Sequence, residues 1–258
     1  MPSMRLHKFI GNCGCVSRRH AELLIQGGRV RVNGRLVSSP GTSVDPEKDS
    51  VAINGEVIHL PEPLTIVFHK PMGLITSTHD THERLTVMDY LPMSLNEKGL
   101  VPAGRLDQDT EGLLVLTNVG DLNHRITHPR YETEKEYTAT VSERPSRGAL
   151  ERLERGIILD GSRTAPARIV GVKATDGGIE VGIAIHEGRK RQVRRMLQAV
   201  GHEVLRLSRV RIGRFELGDL PLGEWRELRA EEIEALTETK PGPRETGSGE
   251  TAGGRGGS

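Results

Sequence analysis

Residues 104–113 hold the side chains of this sequence that are best suited to chemistry. They read Gly-Arg-Leu-Asp-Gln-Asp-Thr-Glu-Gly-Leu and run into an apolar segment, residues 114–117, which is typical of a buried strand. A carboxylate at the mouth of such a strand is costly to desolvate unless a cation pairs with it. We therefore interpret Asp107 as a catalytic carboxylate. Residue types alone leave a purely structural Asp–Arg pair as an equal alternative.

Residues 191–200 predict the helix that supplies the cation. Its apolar residues recur at i, i+3, i+4 and i+7, namely Val193, Met196, Leu197 and Val200. At roughly 100° per residue, Arg194 lies at the edge of this apolar face and Arg195 points away from it. We therefore predict that Arg194 pairs with Asp107 and keeps it ionised, as a nucleophile or base requires. The cations left to face an anionic partner are Arg189, Lys190, Arg191 and Arg195.

Two further features bear on the chemistry. Residues 134–141 alternate as a strand, in which Tyr137 shares the inward parity of Ala139 and Val141, so that a core tyrosine is its ordinary interpretation. Asp107, Asp109 and Glu111 would lie on one side of an extended segment, as in a metal-dependent phosphodiesterase. Such a site needs further acids, and the neighbouring Arg105 repels a cation. We predict no metal site, and interpret Asp109 and Glu111 as supports of the loop.

The charges of the chain are concentrated in two clusters, although the formal net charge is only +1. Residues 1–35 carry seven Lys or Arg against one acid, and residues 188–214 carry nine against one. Two basic clusters in an otherwise balanced chain predict a polyanionic partner. The two cysteines are spaced Cys-x-Cys, which fits neither a disulfide framework nor a zinc knuckle. With no signal segment and no membrane-spanning run, the expected location is the cytoplasm.

Residues 4–60 predict a small module of two helices followed by hairpins. The helices fall at residues 6–10 and 17–27, and Asn-Gly turns at 33–34 and 54–55 predict the hairpins. Arg18 and Arg19 occupy a first helical turn, where the macrodipole disfavours each cation by roughly 0.3–1 kcal/mol. A phosphate bound at this helix start would reverse that balance.

These motifs resemble the S4 RNA-binding domain over nearly the whole module. The resemblance is carried by Arg5-Leu6-His7-Lys8-Phe9-Ile10, by Ser17-Arg18-Arg19-His20-Ala21-Glu22, and by residues 28–34, Gly-Arg-Val-Arg-Val-Asn-Gly. It implies an RNA-binding surface. The residues expected there are Arg5, Lys8, Ser17, Arg18, Arg19, Arg29 and Arg31.

Beyond a Pro-containing linker at 61–63, residues 64–235 interleave many strands with a few helices, which indicates an α+β sheet domain. The predicted strands are 64–68, 114–117, 134–141, 157–159, 167–172 and 179–185. The predicted helices are 85–91, 122–127, 146–155 and 191–200. Residues 238–258 are rich in Gly, Ser, Thr and Glu without an apolar pattern, and we expect this tail to be disordered.

Three separated motifs in this domain resemble the pseudouridine synthases that carry an N-terminal S4 domain. They are residues 104–120, Lys135-x-Tyr137 and residues 187–196. The resemblance implies a mixed, largely antiparallel sheet with flanking helices, and a cofactor-free isomerisation of uridine in ribosomal RNA. It further implies that Asp107 attacks the uridine, Tyr137 stacks on the extruded base and assists proton removal, and Arg194 holds Asp107.

The same resemblance places Arg105 in the space that the flipped nucleotide vacates. Details of residues 111–114 and 189–194 are more similar to the large-subunit (23S) type B members than to the small-subunit (16S) type. We expect a monomer. The alternative is a non-catalytic S4-type RNA-binding protein, which has no need of Asp107, Tyr137 and Arg194 together.

Overall fold

The N-terminal residues form two helices beside a four-stranded antiparallel sheet. The computed structural model describes residues 3–14, 16–80 and 82–238. Both predicted Asn-Gly turns close hairpins, because Asn33 and Asn54 adopt the left-handed conformation at φ of 50° and 53°. The sheet order is β3-β2-β5-β6. The elements are β1 (Met4–Arg5), α1 (Leu6–Asn12), α2 (Arg18–Gln26), β2 (Val30–Val32), β3 (Arg35–Val37), β4 (Ser43–Val44), β5 (Val51–Ile53) and β6 (Glu56–Ile58).

The larger part of the chain is built on one mixed sheet with helices beside it. It begins with β7 (Thr65–Lys70), α3 (Val87–Tyr90), α4 (Met93–Asn96), β8 (Val101–Pro102), β9 (Glu111–Thr117), α5 (Gly120–Thr127), a 3₁₀ turn (Pro129–Tyr131), β10 (Lys135–Val141) and α6 (Arg147–Glu154). It continues with β11 (Ile158–Leu159), β12 (Ser162–Arg163), β13 (Arg168–Thr175), β14 (Gly178–Ile185), α7 (Gln192–Ala199), β15 (Val204–Ile212), β16 (Phe215–Glu216), β17 (Trp225–Glu227) and α8 (Ala230–Ala235).

The predicted mixed, largely antiparallel sheet is confirmed. Its strand order is β13-β14-β10-β15-β9-β7-β17, with β16 on β15 and β8 on β9. Within the described residues its parallel pairing is that of β15 with β9, where Ser208 faces Glu111 and Arg209 faces Gly112. This pairing brings the acidic loop before β9 next to the arginines of β15, and Tyr137 on β10 lies opposite Arg209 on the other side.

The strand β15 was not predicted, because three of its nine residues are arginines. Arg209 and Arg211 are 3% and 1% exposed in the middle of the sheet. Arg211 is paired there with Glu134 and Glu136, which offsets the cost of burying its charge. A strand that carries its own buried ion pairs does not show the alternation of apolar and polar residues on which a sequence prediction depends.

Gly112 permits the close approach of β9 to β15. Its φ is +105°, and a Cβ built at this position would lie 2.6 Å from the backbone nitrogen of Arg209 and closer still to its carbonyl oxygen. Gly112→Ala is therefore expected to lower the free energy of unfolding by about 3 kcal/mol or more. Gly161→Ala is the matched control, because Gly161 also has positive φ but open space around it, and should cost only about 1 kcal/mol. Chemical denaturation of both variants would decide this, and equal losses would contradict it.

The N-terminal part of the chain and the larger part are joined by specific contacts. Lys8 Nζ lies 2.7 Å from Asp121 Oδ1 at the start of α5. Asn118 holds the linker: its Oδ1 accepts from Leu64 N at 2.8 Å and its Nδ2 donates to Glu62 O at 2.8 Å. A cavity of about 730 Å³ lies between the two parts, lined by residues that include Ser17 and Arg18.

Two sequence expectations concern the C-terminal tail and membrane-spanning segments. The predicted tail at 238–258 lies, beyond Glu238, outside the described residues. Across residues 3–14, 16–80 and 82–238, no helix combines the length and the apolar character that crossing a membrane requires.

Candidate active site

Asp107 and Tyr137 lie on one cavity of about 300 Å³ in the middle of the large sheet. The loop before β9 provides Asp107, β10 provides Tyr137, and the segment entering α7 forms the opposite wall. Of the residues predicted to contact RNA, four line this cavity: Arg105, Arg189, Lys190 and Arg191. These residues lie on one pocket with apolar walls and a cationic rim, whereas Arg194 does not line it.

Asp107 presents its carboxylate to this cavity without a protein partner. Among the described residues, no hydrogen bond or ion pair reaches its side chain. The backbone is fixed instead: Asp107 O accepts from Thr110 N at 3.1 Å, which closes a turn over Gln108 and Asp109. A half-buried carboxylate held in place but unpartnered is available to react with a bound molecule.

The predicted pairing of Arg194 with Asp107 is wrong, because Arg194 pairs with Asp109. Arg194 Nη2 donates to Asp109 O at 2.7 Å, and its Nε lies 3.3 Å from Asp109 Oδ2, an ion-pair distance without hydrogen-bond alignment. The helical periodicity correctly placed Arg194 at the edge of the core, where it also donates to Val204 O. The turn at 107–110 separates the two carboxylates and directs Asp109, not Asp107, toward α7.

Asp109 is the centre of an ion-pair cluster through which it supports the loop. Arg191 binds its two carboxylate oxygens at 2.7 Å each, the bidentate geometry that an Arg–carboxylate pair favours. These hydrogen bonds lower the pKa of Asp109; partial burial opposes them, and the charge of Arg194 adds to them. Arg191 has the left-handed φ of 52° at the start of α7. The cluster fixes the Asp107 loop to this helix.

The acidic triplet does not form a metal site. Asp107 lines the cavity, Asp109 faces α7, and Glu111 is buried in β9, where its Oε1 accepts from Arg206 at 2.6 Å. The assumption of an extended segment with three carboxylates on one side is therefore wrong, because the chain turns at 107–110. No group of three or more His, Cys, Asp or Glu in the part of the chain that the structure describes is arranged to hold a metal ion.

Lys70 lies beneath the candidate site and was not among the residues that the sequence predicted there. It is fully buried at the end of β7, and its Nζ donates to Thr110 O at 2.8 Å, Pro71 O at 3.0 Å and Asp107 O at 3.3 Å. Burial lowers its pKa to about 8, against the attraction of Asp109, Asp107 and Glu111. A lysine after a strand and before Pro-x-Gly was the available signal, but its three acceptors are brought together only by the fold.

The pKa of Lys70 makes the stability of the protein depend on pH above 8. Between about pH 8 and 10.5 the unfolded chain holds a proton that the folded Lys70 has released, so the free energy of unfolding rises with pH. Burial, and then the charge of Arg209, likewise lower the pKa of Lys135 to about 8. We expect each lysine to contribute about 3 kcal/mol to this rise.

Lys70→Met and Lys135→Met are each expected to remove about half of the rise in unfolding free energy with pH. Urea unfolding at pH 7.5, 8.5 and 9.5 measures this rise. Lys70→Met alone should also lower activity, because three carbonyl groups beneath the Asp107 loop lose their donor. Lys173→Met, at an exposed ion pair on β13, is the control and should keep the full gain. A wild-type stability that falls between pH 8 and 10 would contradict the assignment.

The cations at and near the cavity rim differ in the protein groups that they contact. Arg189 donates to Ser162 Oγ at 2.8 Å and to Arg163 O at 2.6 Å, so it ties the α7 entrance to the β11–β12 hairpin. Gln192, buried beneath it, donates to Glu187 at 2.6 Å. Arg105 and Lys190 are exposed and contact no carboxylate of the described residues. Arg195 lies outside the cavity in a bidentate pair with Asp160, at 2.9 and 2.6 Å.

The cations predicted in the N-terminal module lie away from this cavity. Of these cations, Arg18 reaches the space between the two parts of the molecule, together with the predicted RNA-binding residue Ser17. Lys8 is engaged by Asp121, so its predicted RNA contact would require that pair to open. The others are at the surface, with side-chain contacts from Arg5 to Gly41 O, Arg29 to Asn54 and Arg31 to Gly34 O, and with Arg19 exposed.

Comparison with known proteins gives the same division of the chain. The family described as RNA pseudouridylate synthase matches residues 64–199, and the S4 domain matches residues 4–51. Ribosomal large subunit pseudouridine synthase B of Bacillus subtilis is 40% identical over 90% of this chain and 95% of its own length. The dual-specificity RNA pseudouridine synthase RluF of Escherichia coli is 35% identical over 90% of this chain and 77% of its own.

A solved structure agrees with these matches. A crystal structure of a pseudouridylate synthase superposes with a TM-score of 0.64 and 34% identity, covering 91% of this chain and all of that one.

Proposed function

Because the chain belongs to the RNA pseudouridine synthase family, we propose that it isomerises a specific uridine of ribosomal RNA, with Asp107 as the nucleophile. The observation that carries this proposal is the Asp107 carboxylate, which lies unpartnered on a cavity beside Tyr137. A structural carboxylate at this depth would be paired, as Asp109 and Glu111 are.

The target uridine must leave its base stack before Asp107 can reach it. The exposed Arg105 stands at the mouth of the cavity, where it can fill the space that the flipped nucleotide leaves. Tyr137, between two hydrophobic clusters, offers its ring as a stacking surface for the uracil. The apolar residues Leu106, Ile185, Val193 and Leu207 exclude water from the detached base.

Arg194 acts as a positioning residue in this scheme. It holds the backbone and side chain of Asp109, and through the turn at 107–110 it fixes the direction in which Asp107 points. Asp107 attacks the uridine, the glycosidic C–N bond breaks, the uracil turns within the cavity, a C–C bond forms, and the bond to Asp107 is then released so that the free carboxylate is restored. Tyr137 assists removal of the proton from the carbon that becomes bonded.

We propose large-subunit (23S) rather than small-subunit (16S) ribosomal RNA as the substrate, supported by the name of the Bacillus subtilis relative. We further propose an S4-like domain at 4–60, a linker at 61–63, a catalytic domain at 64–235, a monomer and a cytoplasmic location. The proposed RNA-binding residues belong to two groups, one in the N-terminal domain and one at or near the cavity: Arg5, Lys8, Ser17, Arg18, Arg19, Arg29 and Arg31, and Arg105, Arg189, Lys190, Arg191 and Arg195. The coupling of these surfaces is supported by the contact of Lys8 with Asp121.

The test is to incubate the protein with 23S and 16S transcripts and to map pseudouridine by sequencing. We expect one site, or a few adjacent sites, in the 23S transcript. A wild-type protein that binds the transcripts but leaves every uridine unchanged would support the second candidate, a non-catalytic S4-type RNA-binding protein. Modification confined to the 16S transcript would overturn the large-subunit assignment alone.

A further inference from the structure

Arg209 is a buried cation whose guanidinium is only partly satisfied by the protein. It is 3% exposed in the middle of β15, and its Nε donates to Leu113 O at 2.8 Å. Its Nη2 is enclosed but finds no acceptor among the described residues, and no carboxylate of those residues lies within ion-pair distance of it. A buried charge without a partner is costly, so a ligand that supplies the missing acceptor is the economical explanation.

The same strand holds a control for this argument. Arg211, two residues further along β15, is equally buried, but it is paired with both Glu134 and Glu136. Arg211 is therefore a structural cation whose charge is neutralised within the protein. No carboxylate pairs with Arg209 in this way among the described residues; burial lowers the pKa of Lys70 and of Lys135, and the charge of Arg209 adds a smaller contribution in the same direction. Two buried arginines on one strand thus have different electrostatic surroundings.

The position of Arg209 indicates what it binds. It lines the same cavity as Asp107, and in the sheet register it lies directly opposite Tyr137. The exposed cations Arg105 and Lys190 are at the rim, where phosphates of the RNA backbone remain in water. An arginine buried beside a stacking ring and apolar walls suits a planar, neutral ring with carbonyl acceptors.

We propose that Arg209 is a further catalytic residue that donates a hydrogen bond from its guanidinium to a carbonyl oxygen of the target uracil. This inference rests on the proposed function. When the N1–C1′ bond breaks, its electron pair stays on the uracil and is shared by N1 with O2 and O4. The new bond then forms between C5 and C1′, C5 loses its proton, and N1 gains one, so that no atom is added or lost. A fixed cation at a carbonyl oxygen stabilises the charge on the detached base.

The experiment combines variants of Arg209 with substrates that carry 2-thiouridine or 4-thiouridine at the mapped site. Sulfur is a weaker hydrogen-bond acceptor than oxygen, so the thio substitution at the contacted position should slow single-turnover isomerisation by wild type about 10-fold more than it slows Arg209→Gln. On the normal substrate, Arg209→Gln and Arg209→Lys should react on the order of 10²-fold more slowly, with RNA affinity nearly unchanged. If this difference appears with 2-thiouridine, Arg209 contacts O2; if it appears with 4-thiouridine, Arg209 contacts O4.

Control variants separate this role from a structural one. Arg211→Lys disturbs an equally buried arginine; it should lower the melting temperature but keep the full thio effect. Arg214→Gln removes an exposed charge and should change neither the melting temperature nor the effect of the thio substitution.

The proposal would be overturned if the thio substitution slowed wild type and the Arg209 variants equally. It would also be overturned if neither thio substitution slowed wild type, and that measurement does not require any variant to fold. A loss of RNA affinity with a reduced salt dependence in Arg209→Gln would also overturn it, because that result assigns Arg209 to a phosphate. Failure of the proposed function is distinguishable from these outcomes, since wild type would then leave the normal transcript unmodified.

Discussion

Replacement of Asp107 by Asn is expected to abolish pseudouridine formation, with a loss of at least roughly 10⁴-fold in the single-turnover rate. The amide is nearly isosteric with the carboxylate but is neither a nucleophile nor a base at neutral pH. The measurement is the rate of pseudouridine formation in the mapped transcript, with enzyme in excess over RNA. RNA affinity should change little, because the rim cations and the N-terminal module remain.

The stability of the Asp107→Asn variant is the more distinctive part of this prediction. Because no described residue binds the Asp107 side chain, thermal unfolding should shift by no more than about 2 °C. Asp176→Asn, in the exposed β13–β14 turn, is the control for removal of a carboxylate and should retain full activity. An Asp107→Asn protein that still modifies its site would refute the assignment of the nucleophile, and a large loss of stability would reveal a structural role.

The resemblance to the pseudouridine synthases implied that Asp107 and Tyr137 share a site, whereas local patterns alone predicted only their strands. The β9 run and the β10 alternation fix both strands and the parity of Tyr137. Helical periodicity likewise placed Arg194 at the edge of the core. It could not decide which carboxylate Arg194 meets, because that depends on the turn at 107–110.

The remaining site residues depend on contacts between distant strands. The burial of Lys70 among three carbonyl oxygens follows only when the ends of β7 and β9 meet. Arg209 was counted among basic residues expected to face solvent or RNA, yet the pairing of β15 with β9 and β10 buries it. Buried cations are rare, so residue type argues against burial unless the partner groups are known.

The Asp109→Asn variant should lose both activity and stability, unlike Asp107→Asn. Without the carboxylate, Arg191 and Arg194 lose the partner that joins the 107–110 turn to α7, and we expect the isomerisation rate to fall about 10²-fold because Asp107 is no longer held in direction. The Asp109 side chain is 44% exposed, so solvent weakens the pair, and a loss of about 1–2 kcal/mol in unfolding free energy is expected after that allowance.

The pH dependence of this loss identifies the ion pair as its cause. Since the folded pKa of Asp109 is lowered, its stabilising contribution is complete above the ordinary carboxyl pKa of 3.8 and disappears as the pH falls through the folded value. Wild type and Asp109→Asn should therefore differ in stability at pH 6 and converge as the pH falls below the lowered pKa of Asp109. A difference that persists unchanged in acid would mean that the variant acts through packing.

A double-mutant cycle with Arg194→Gln completes the argument. If Arg194 acts through Asp109, the rate losses of Asp109→Asn and Arg194→Gln should not add, and the double variant should resemble the slower single variant. Fully additive losses would instead indicate that Arg194 reaches the substrate independently. Two carboxylates only two residues apart would then be distinguished by function: Asp107 is needed for the reaction but not for the fold, whereas Asp109 supports the reaction by holding the fold around it.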